Sequence, residues 1–234
     1  MKAKRWLVLA GAVGSLFALG LFAVFSMIAS RGSMAQSPAY SMTPIPINQQ
    51  LFHRAVNMGF SDARNLEPRF LFNNSSDLAA IAAGRIQAVG LLKAGSSLRD
   101  GFVDAAPTEP LLVKSYDQYV QDYYLVPFVK NGKPSGLVVL YLENGKVHCG
   151  HAARYADTAT QPLPVMKDQA IAILKNAYQL ESVPDPRLIY QGLCQEIHDP
   201  LQPAWEFDLG GKKVYVNQEG KVFTAFTRPE KLGG

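Results

Sequence analysis

The stretch Pro203–Phe226, PAWEFDLGGKKVYVNQEGKVFTAF, decides the fold because it has the pattern of three short strands joined by two tight turns. Residues Ala204 to Asp208 alternate apolar and polar side chains, which is the period of a half-buried strand. Gly210-Gly211 suits a hairpin turn that needs positive φ, and Asn217 to Gly220 supplies the second turn. The stretch therefore predicts an antiparallel meander.

A similar stretch occurs earlier in the chain, from Tyr124 to Ala152. A shift of 75 positions lays Gly145-Lys146-Val147 on Gly220-Lys221-Val222. An Ala-rich stretch with one broad apolar face precedes each copy, and the first begins after the N-cap residues Asn73–Asp77. The shared order of helix and strands predicts a duplication. The alternative is that the two stretches are not related by duplication, because any two hairpins share turn glycines and valines.

The predicted fold class is α+β, with one N-terminal transmembrane helix followed by two related units. Each unit is expected to be a helix packed on an antiparallel β-meander. The first is expected over residues 73–157 and the second over residues 158–234, while residues 31–72 are interpreted as a linker with a short helix.

Trp6 to Ser30 contains no charged residue and is long enough, at about 1.5 Å per residue, to cross a hydrocarbon core of about 30 Å. Three basic residues lie in residues 1–5, against only Arg31 directly after the span, which keeps the N-terminus cytoplasmic and exports the rest. A cleaved signal peptide ending near Ser33-Met34-Ala35 is the alternative. Its apolar region would normally be about 7–15 residues, so an uncleaved signal anchor in the cytoplasmic membrane is favoured.

The basic character of the chain belongs to this N-terminal segment. Four of the 23 Lys and Arg residues precede residue 36, and removing them leaves 19 basic against 19 acidic residues in the exported part. Binding to nucleic acid needs a basic surface, so a nucleic-acid partner is not expected.

The residues of the second copy resemble the PepSY-type domain family. The resemblance rests on Val165–Ile171, on Pro203–Phe207, and on Val214–Asn217 with Gly220-Lys221-Val222; it covers residues 162–228 and, more loosely, residues 74–152. It implies a cystatin-like fold of a helix on a sheet, and a role in binding proteins or modulating proteases outside the cytoplasm. The first copy departs from the pattern, because Val126-Pro127-Phe128 stands where Trp205 is expected.

The sequence contains no common catalytic motif: no nucleophile elbow, zinc-protease helix motif or phosphate-binding glycine loop. We therefore expect a membrane-anchored binding or regulatory protein without catalytic activity and without a cofactor. Its partner is expected to be an envelope protein or protease. The alternative function is metal or redox handling in the cell envelope.

Cys149 and Cys194 are the only cysteines, and both lie in the exported part. An oxidising compartment favours a disulfide between them, which would stabilise the chain by roughly 4 kcal/mol. Two isolated thiols are the second interpretation. The third is a tetrahedral zinc or copper site made by these cysteines with His151 and His198, because alternation along a strand would put Cys149 and His151 on one face.

Several tyrosines precede the first meander. If the strand is regular, Tyr119 and Tyr123 share one of its faces, and an exposed tyrosine pair suits a partner surface. The alternative is that this face packs under the helix.

Overall fold

The computed structural model describes residues 42–58, 68–192, 194–197 and 199–227. Four helices occur in these ranges: α1 (Gln49–Asn57), α2 (Ser75–Ala88), α3 (Arg99–Phe102) and α4 (Lys167–Tyr178). The nine strands are β1 (Ala106–Pro107), β2 (Leu111–Ser115), β3 (Tyr123–Lys130), β4 (Lys133–Glu143), β5 (Lys146–Arg154), β6 (Arg187–Tyr190), β7 (Ala204–Leu209), β8 (Lys212–Val216) and β9 (Val222–Phe223).

All nine strands belong to one sheet, with the order β5-β4-β3-β2-β6-β7-β8-β9 and with β1 paired to β3. Every pairing between named strands is antiparallel except that of β2 with β6, which is parallel and joins Val113 to Leu188. β7 and β8 lie where the alternation and the turn glycines predicted them, whereas the third strand of the meander, predicted to continue to Phe226, ends at Phe223.

The prediction of two units, each with a sheet of its own, is wrong. The two meanders are joined edge to edge by the β2–β6 pair into a continuous mixed α/β structure. Alternation along a strand predicts which side chains are buried, but it carries no information on which backbone edges pair. Pairing β2 with β6 satisfies the backbone groups on an edge that each separate meander would have left open.

The two halves of the sheet contain corresponding strands in the same order when they are counted outward from the β2–β6 pair, which we call the seam. Counting outward from the β2–β6 pair, the first half runs through β3, β4 and β5, and the second through β7, β8 and β9. The central strands β2 and β6 are parallel neighbours. A rotation of 180° about an axis that runs along them therefore exchanges the two halves and also exchanges the two faces of the sheet. The helix of each half is therefore expected on the opposite face from the other.

The packing agrees with this geometry. Ile81 of α2 belongs to a hydrophobic cluster with Val138 of β4, whereas Leu174 of α4 belongs to another cluster with Val139 and Trp205. Neighbouring residues of one strand point to opposite faces, so the two clusters lie on opposite sides of the sheet. We call these sides the α2 face and the α4 face.

Helix α2 begins at a well-formed cap and packs closely on α1. The side chain of Asn74 accepts a hydrogen bond from the backbone N–H of Asp77 at 3.1 Å. The buried carboxylate of Asp77 in turn accepts from Asn48 at 2.8 Å, which connects the N-termini of the two helices. Gly84 then allows the close approach, because a Cβ there would lie 2.6 Å from the Cβ of Ala55.

Helix α4 is fixed to the second half of the sheet through the segment that precedes it. The indole Nε1 of Trp205 donates to the carbonyl of Val165 at 2.8 Å. The buried side chain of Gln218 accepts from the N–H of Val165 at 2.9 Å and donates to the carbonyl of Pro203 at 2.7 Å. Trp205 is thus a core residue of the α4 face rather than a surface contact.

The predicted membrane-spanning segment, Trp6 to Ser30, lies outside the described residues. Within the described ranges, no helix combines the length and the apolar composition that crossing a bilayer requires.

Candidate functional site

Strand β5 forms the long edge of the sheet. It has nine residues, of which all but Gly150 pair with β4, whereas the strand at the opposite edge, β9, has only two residues. On its outer side, Val147 donates to and accepts from the backbone of Phe70, both at 2.8 Å. Farther along, residues 150–154 have no second strand neighbour among the residues that the structure describes.

A β-bulge at Gly150 interrupts β5. Cys149 pairs with Leu140 and His151 pairs with Val139, so Gly150 is the additional residue. The ring of Tyr141 lies directly against the Gly150 backbone, where any Cβ would collide with it. Ring centroids of His148 and His151 each lie 5.8 Å from that of Tyr141. The bulge therefore makes room for an aromatic cluster at the edge.

A cleft of about 260 Å³ lies beside this cluster. It is lined by Tyr119, Val120, Gln121, Tyr141, Glu143 and His148. Tyr141 and His148 are cross-strand partners on the α4 face, and the Tyr119 side chain is 85% exposed. The cleft thus combines a sheet edge with an exposed aromatic rim.

The loop that carries Tyr119 is held at both ends by aspartates. Asp117 accepts from the backbone N–H groups of Tyr119 at 2.6 Å and Val120 at 3.1 Å. Asp122 accepts from the N–H of Ser115 at 2.8 Å and from the ammonium of Lys114 at 2.7 Å. Burial opposes the charge of Asp122, but these hydrogen bonds outweigh it and lower its pKa. The rim of the cleft is therefore pre-organised.

Glu143 and Tyr141 both line the cleft, and neighbouring groups affect each of them. Glu143 forms an ion pair with Arg69, whose side chain is 45% exposed. Burial, followed by the charge of Asp199, raises the pKa of Tyr141, so its hydroxyl stays protonated at neutral pH. The described side chains that line the cleft can stack and can donate and accept hydrogen bonds.

The structure separates the two tyrosines that were predicted to share a surface. Tyr119 lies on the cleft, but Tyr123 is fully buried, and its hydroxyl donates to the carbonyl of Pro200 at 2.6 Å. Burial raises the pKa of Tyr123. The strand begins only at Tyr123, and the residues before it form a turn, so the alternation assumed for the pair does not extend to Tyr119.

The predicted cysteine and histidine cluster is also not assembled. Cys149 faces the α2 face and Cys194 is buried on the α4 face, and the structure has no disulfide between them. The bulge at Gly150 places His151 on the opposite face from Cys149, where simple alternation had put them together. His198 lies outside the described residues. Within the described ranges, no three His, Cys, Asp or Glu side chains are grouped to hold a metal ion.

A second polar cluster, which the sequence did not reveal, lies on the α2 face beside the seam. Glu206 is 4% exposed, and its carboxylate accepts from Arg187 at 2.6 Å, from the hydroxyl of Tyr116 at 2.9 Å and from Lys213 at 3.3 Å. Lys213 also donates to the Tyr116 hydroxyl at 3.1 Å and lies 4.7 Å from the centre of its ring. In the sequence, this cluster is represented only by Glu206, an acidic residue in an apolar strand, and the alternation there is typical of an ordinary side chain that faces solvent.

The groups of this cluster stabilise one another's charges. Burial opposes ionisation of Glu206, but the hydrogen bonds from Arg187, Tyr116 and Lys213 outweigh it and lower its pKa. The hydrogen bond to Glu206 raises the pKa of Arg187. The pKa of Lys213 is raised first by its hydrogen bond to Tyr116 and then by its hydrogen bond to Glu206. Because the carboxylate is fully used by its neighbours, the cluster is a structural connection between four segments of the sheet rather than a reactive site.

An apolar cavity of about 500 Å³ lies on the helical side of the α2 face. Asp104 and Gln87 are the polar side chains in its described lining, and both are exposed. Ligand sites usually place a few buried polar groups to orient what they bind, and this cavity has no such side chain in its described lining. Its lining includes Ile45, Ile47, Phe52, Ile86, Leu92, Phe102 and Phe128.

No family model, curated protein or solved structure matches this chain. The resemblance to PepSY-type domains accordingly stays a prediction. What the chain binds has to be inferred from the geometry of its own residues.

Proposed function

We propose that this protein is a non-enzymatic binding module that pairs an extended segment of a partner protein with the outer edge of β5. The observation that carries the proposal is that a long sheet edge and an aromatic cleft lie side by side, since His148 belongs to both. In binding by strand addition, main-chain hydrogen bonds supply affinity, and adjacent pockets that take side chains supply specificity.

The edge of β5 already pairs with a strand segment at one position. Both backbone groups of Val147 point outward, to Phe70. Outward-pointing backbone groups recur at every second residue of an antiparallel strand. After the bulge, the N–H of Tyr155 donates toward β4, to Ser135 at 3.1 Å, so the N–H and C=O groups of Ala152 and Arg154 point outward. An added segment would pair with this part of β5.

The ends of β5 disfavour pairing with a second copy of the same chain. Lys146 and Arg154 are both exposed, and antiparallel pairing of two β5 strands in register would set one against the other. Like charges directly opposite each other destabilise a strand pair, although Asp100 and Asp157 partly neutralise Arg154. The partner is therefore a different protein.

We place this module outside the cytoplasm. The support comes from the sequence: the uncharged run Trp6–Ser30 follows a basic N-terminus, and the rest of the chain has balanced charge. A partner in the cell envelope would be within reach of the β5 edge, and regulation of an envelope protein or protease would follow from occupying one of its extended segments.

The test is selection of random linear peptides on the purified full-length chain, followed by binding measurements on two variants. Ala152→Pro removes an outward N–H, which an edge strand tolerates better than a central one. Ala152→Ser keeps that N–H and serves as its matched control. Circular dichroism and thermal unfolding check that both variants are folded.

We expect selected peptides to bind Ala152→Ser about as well as the unchanged chain and to bind Ala152→Pro at least about tenfold more weakly. Tyr119→Ala, at an exposed position that leaves the core intact, should also weaken binding by removing the rim of the cleft. Failure to select any peptide, or peptides that bind Ala152→Pro and Tyr119→Ala as tightly as the unchanged chain, would overturn the proposal.

A further inference from the structure

We infer that the cleft beside β5 receives a cationic side chain, arginine or lysine, from the partner segment. This inference rests on the proposed function, because it names the chemistry of the side chain that accompanies the added strand. The described lining of the cleft has three rings, those of Tyr119, Tyr141 and His148, and one carboxylate, that of Glu143. This described lining includes no lysine or arginine.

The same combination of a ring and a carboxylate already holds two cations elsewhere in the sheet. The ammonium of Lys213 lies 4.7 Å from the centre of the Tyr116 ring, and the guanidinium carbon of Arg187 lies 5.8 Å from it. Both cations also pair with the carboxylate of Glu206. The face of an aromatic ring attracts a cation, and a carboxylate beside the ring adds a charge-assisted hydrogen bond. The cleft presents the same two kinds of group.

The groups of the cleft are accessible to a further cation. Tyr119 is 85% exposed, and the side chain of Glu143 is 25% exposed. Arg69 pairs with Glu143 but is not part of the described lining, so it contacts the carboxylate from outside the cleft. A carboxylate can accept from several donors, as Glu206 does from three. A second cation can therefore reach Glu143 from the cleft side.

The charges around the cleft also favour a cation within it. Lys146 is the cross-strand neighbour of Glu143, but its side chain, like that of Arg69, is outside the described lining. Burial, followed by the negative charge of Asp199, raises the pKa of Tyr141. A positive charge placed beside Tyr141 and Glu143 is therefore attracted by two carboxylates.

The cleft is within reach of a segment that pairs with the open part of β5. His151 in the open part and His148 in the cleft both lie on the α4 face, and the ring centroid of each is 5.8 Å from that of Tyr141. These histidines are three residues apart, which is about 10 Å along a strand. Because Phe70 occupies the outer side of β5 at Val147, the partner's backbone cannot continue in line past this point. A long side chain such as arginine or lysine bridges the remaining distance.

The experiment uses peptides that are selected on the full-length chain and lose affinity for Ala152→Pro. We expect arginine or lysine at one position of these peptides. Replacing that residue with norleucine, which keeps an unbranched apolar stem without the charge, should weaken binding by about threefold to tenfold at low salt. Glu143→Gln should weaken binding of the cationic peptides by a similar factor. Glu219→Gln removes the same charge near β9, and this matched control should have little effect.

Arg69→Gln tests whether the peptide cation contacts Glu143 directly. Removing Arg69 leaves the carboxylate to the peptide and removes a like charge, so cationic peptides should bind this variant about twofold to fivefold more tightly. Lys221→Gln removes one positive charge near β9 and is the matched control. Thermal unfolding checks that each variant is folded.

The outcomes separate the two proposals. Peptides that lose affinity for Ala152→Pro but carry no cation, or norleucine analogues that bind as tightly as the cationic peptides, would overturn this inference and leave strand addition in place. Weaker binding to Arg69→Gln, or an equal loss in Glu143→Gln and Glu219→Gln, would also contradict a cation at Glu143. Peptides that bind regardless of Ala152→Pro would remove the proposed function as well.

Discussion

Glu206 shows how one residue can connect both halves of the sheet. Its carboxylate contacts Arg187 of β6, Lys213 of β8 and Tyr116, which directly follows β2. The contacts to Tyr116 cross the seam between the two meanders. A buried carboxylate is tolerated there because cationic and phenolic donors surround it, whereas losing the charge would leave those donors without their acceptor.

Replacing Glu206 with glutamine should reduce the free energy of unfolding by about 1–3 kcal/mol at pH 7 while keeping the shape of the side chain. The pKa of Glu206 in the folded chain is lower than its ordinary value of 4.5. The ionised carboxylate therefore contributes its full stabilisation above the ordinary pKa, and this stabilisation is lost as the pH falls through the pKa of the folded state. Urea unfolding at a series of pH values should therefore show the difference between the two proteins shrinking below about pH 4.5. A difference that is constant down to pH 2, or absent at pH 7, would contradict this role.

At the scale of the elements, the sequence predicts individual helices and strands well and their association poorly. The alternation of Trp205 and Phe207 and the glycine turns of the second meander predict β7 and β8 correctly. The bulge at Gly150 was not predicted, because a glycine between two histidines reads as part of a regular strand. That single inserted residue places His151 on the opposite face from Cys149.

The candidate site was predicted only in part, for the same reason. Tyr119 was identified, but its exposure comes from a turn that Asp117 organises, and Tyr123 turned out to be core. The cleft depends on Tyr141 and His148, which become neighbours only through the register of β4 with β5. Long-range register of this kind is set by side-chain packing and turn geometry together, so a single strand pattern does not contain it.

The contact between α1 and α2 gives a prediction in which packing opposes helix propensity. Alanine at position 84 would favour the helix by about 1 kcal/mol relative to glycine. Its Cβ would, however, lie 2.6 Å from the Cβ of Ala55 and 2.8 Å from the carbonyl oxygen of Phe52. Overpacking of this kind typically costs about 1–3 kcal/mol.

We therefore expect Gly84→Ala to lower the free energy of unfolding, measured by urea titration, even though the substitution raises helix propensity. Ala55→Gly in the same chain should recover part of the loss, since it removes one of the two colliding groups. A more stable Gly84→Ala protein would mean that the two helices separate more easily than their close packing implies.

At the scale of the whole molecule, joining the meanders leaves one sheet with two unequal edges. The β9 edge is only two residues long, and the rings of Phe223 and Phe226 cover the adjacent Tyr215. The β5 edge is nine residues long and is bridged by Phe70 at one position. Strand addition is therefore expected at one end of the molecule only, even though the two halves share the same order of elements.

Amide hydrogen exchange of the full-length chain, with and without a selected peptide, is the most direct test of strand addition at the β5 edge. Exchange should slow in β5 on binding, chiefly at the outward N–H groups of Ala152 and Arg154, while the amides of Val222 and Phe223 at the other edge exchange at unchanged rates. The amide of Val147, already bonded to Phe70, should change less. Unchanged exchange throughout β5 in the bound protein, with protection appearing at β9 or around the apolar cavity instead, would contradict strand addition at this edge.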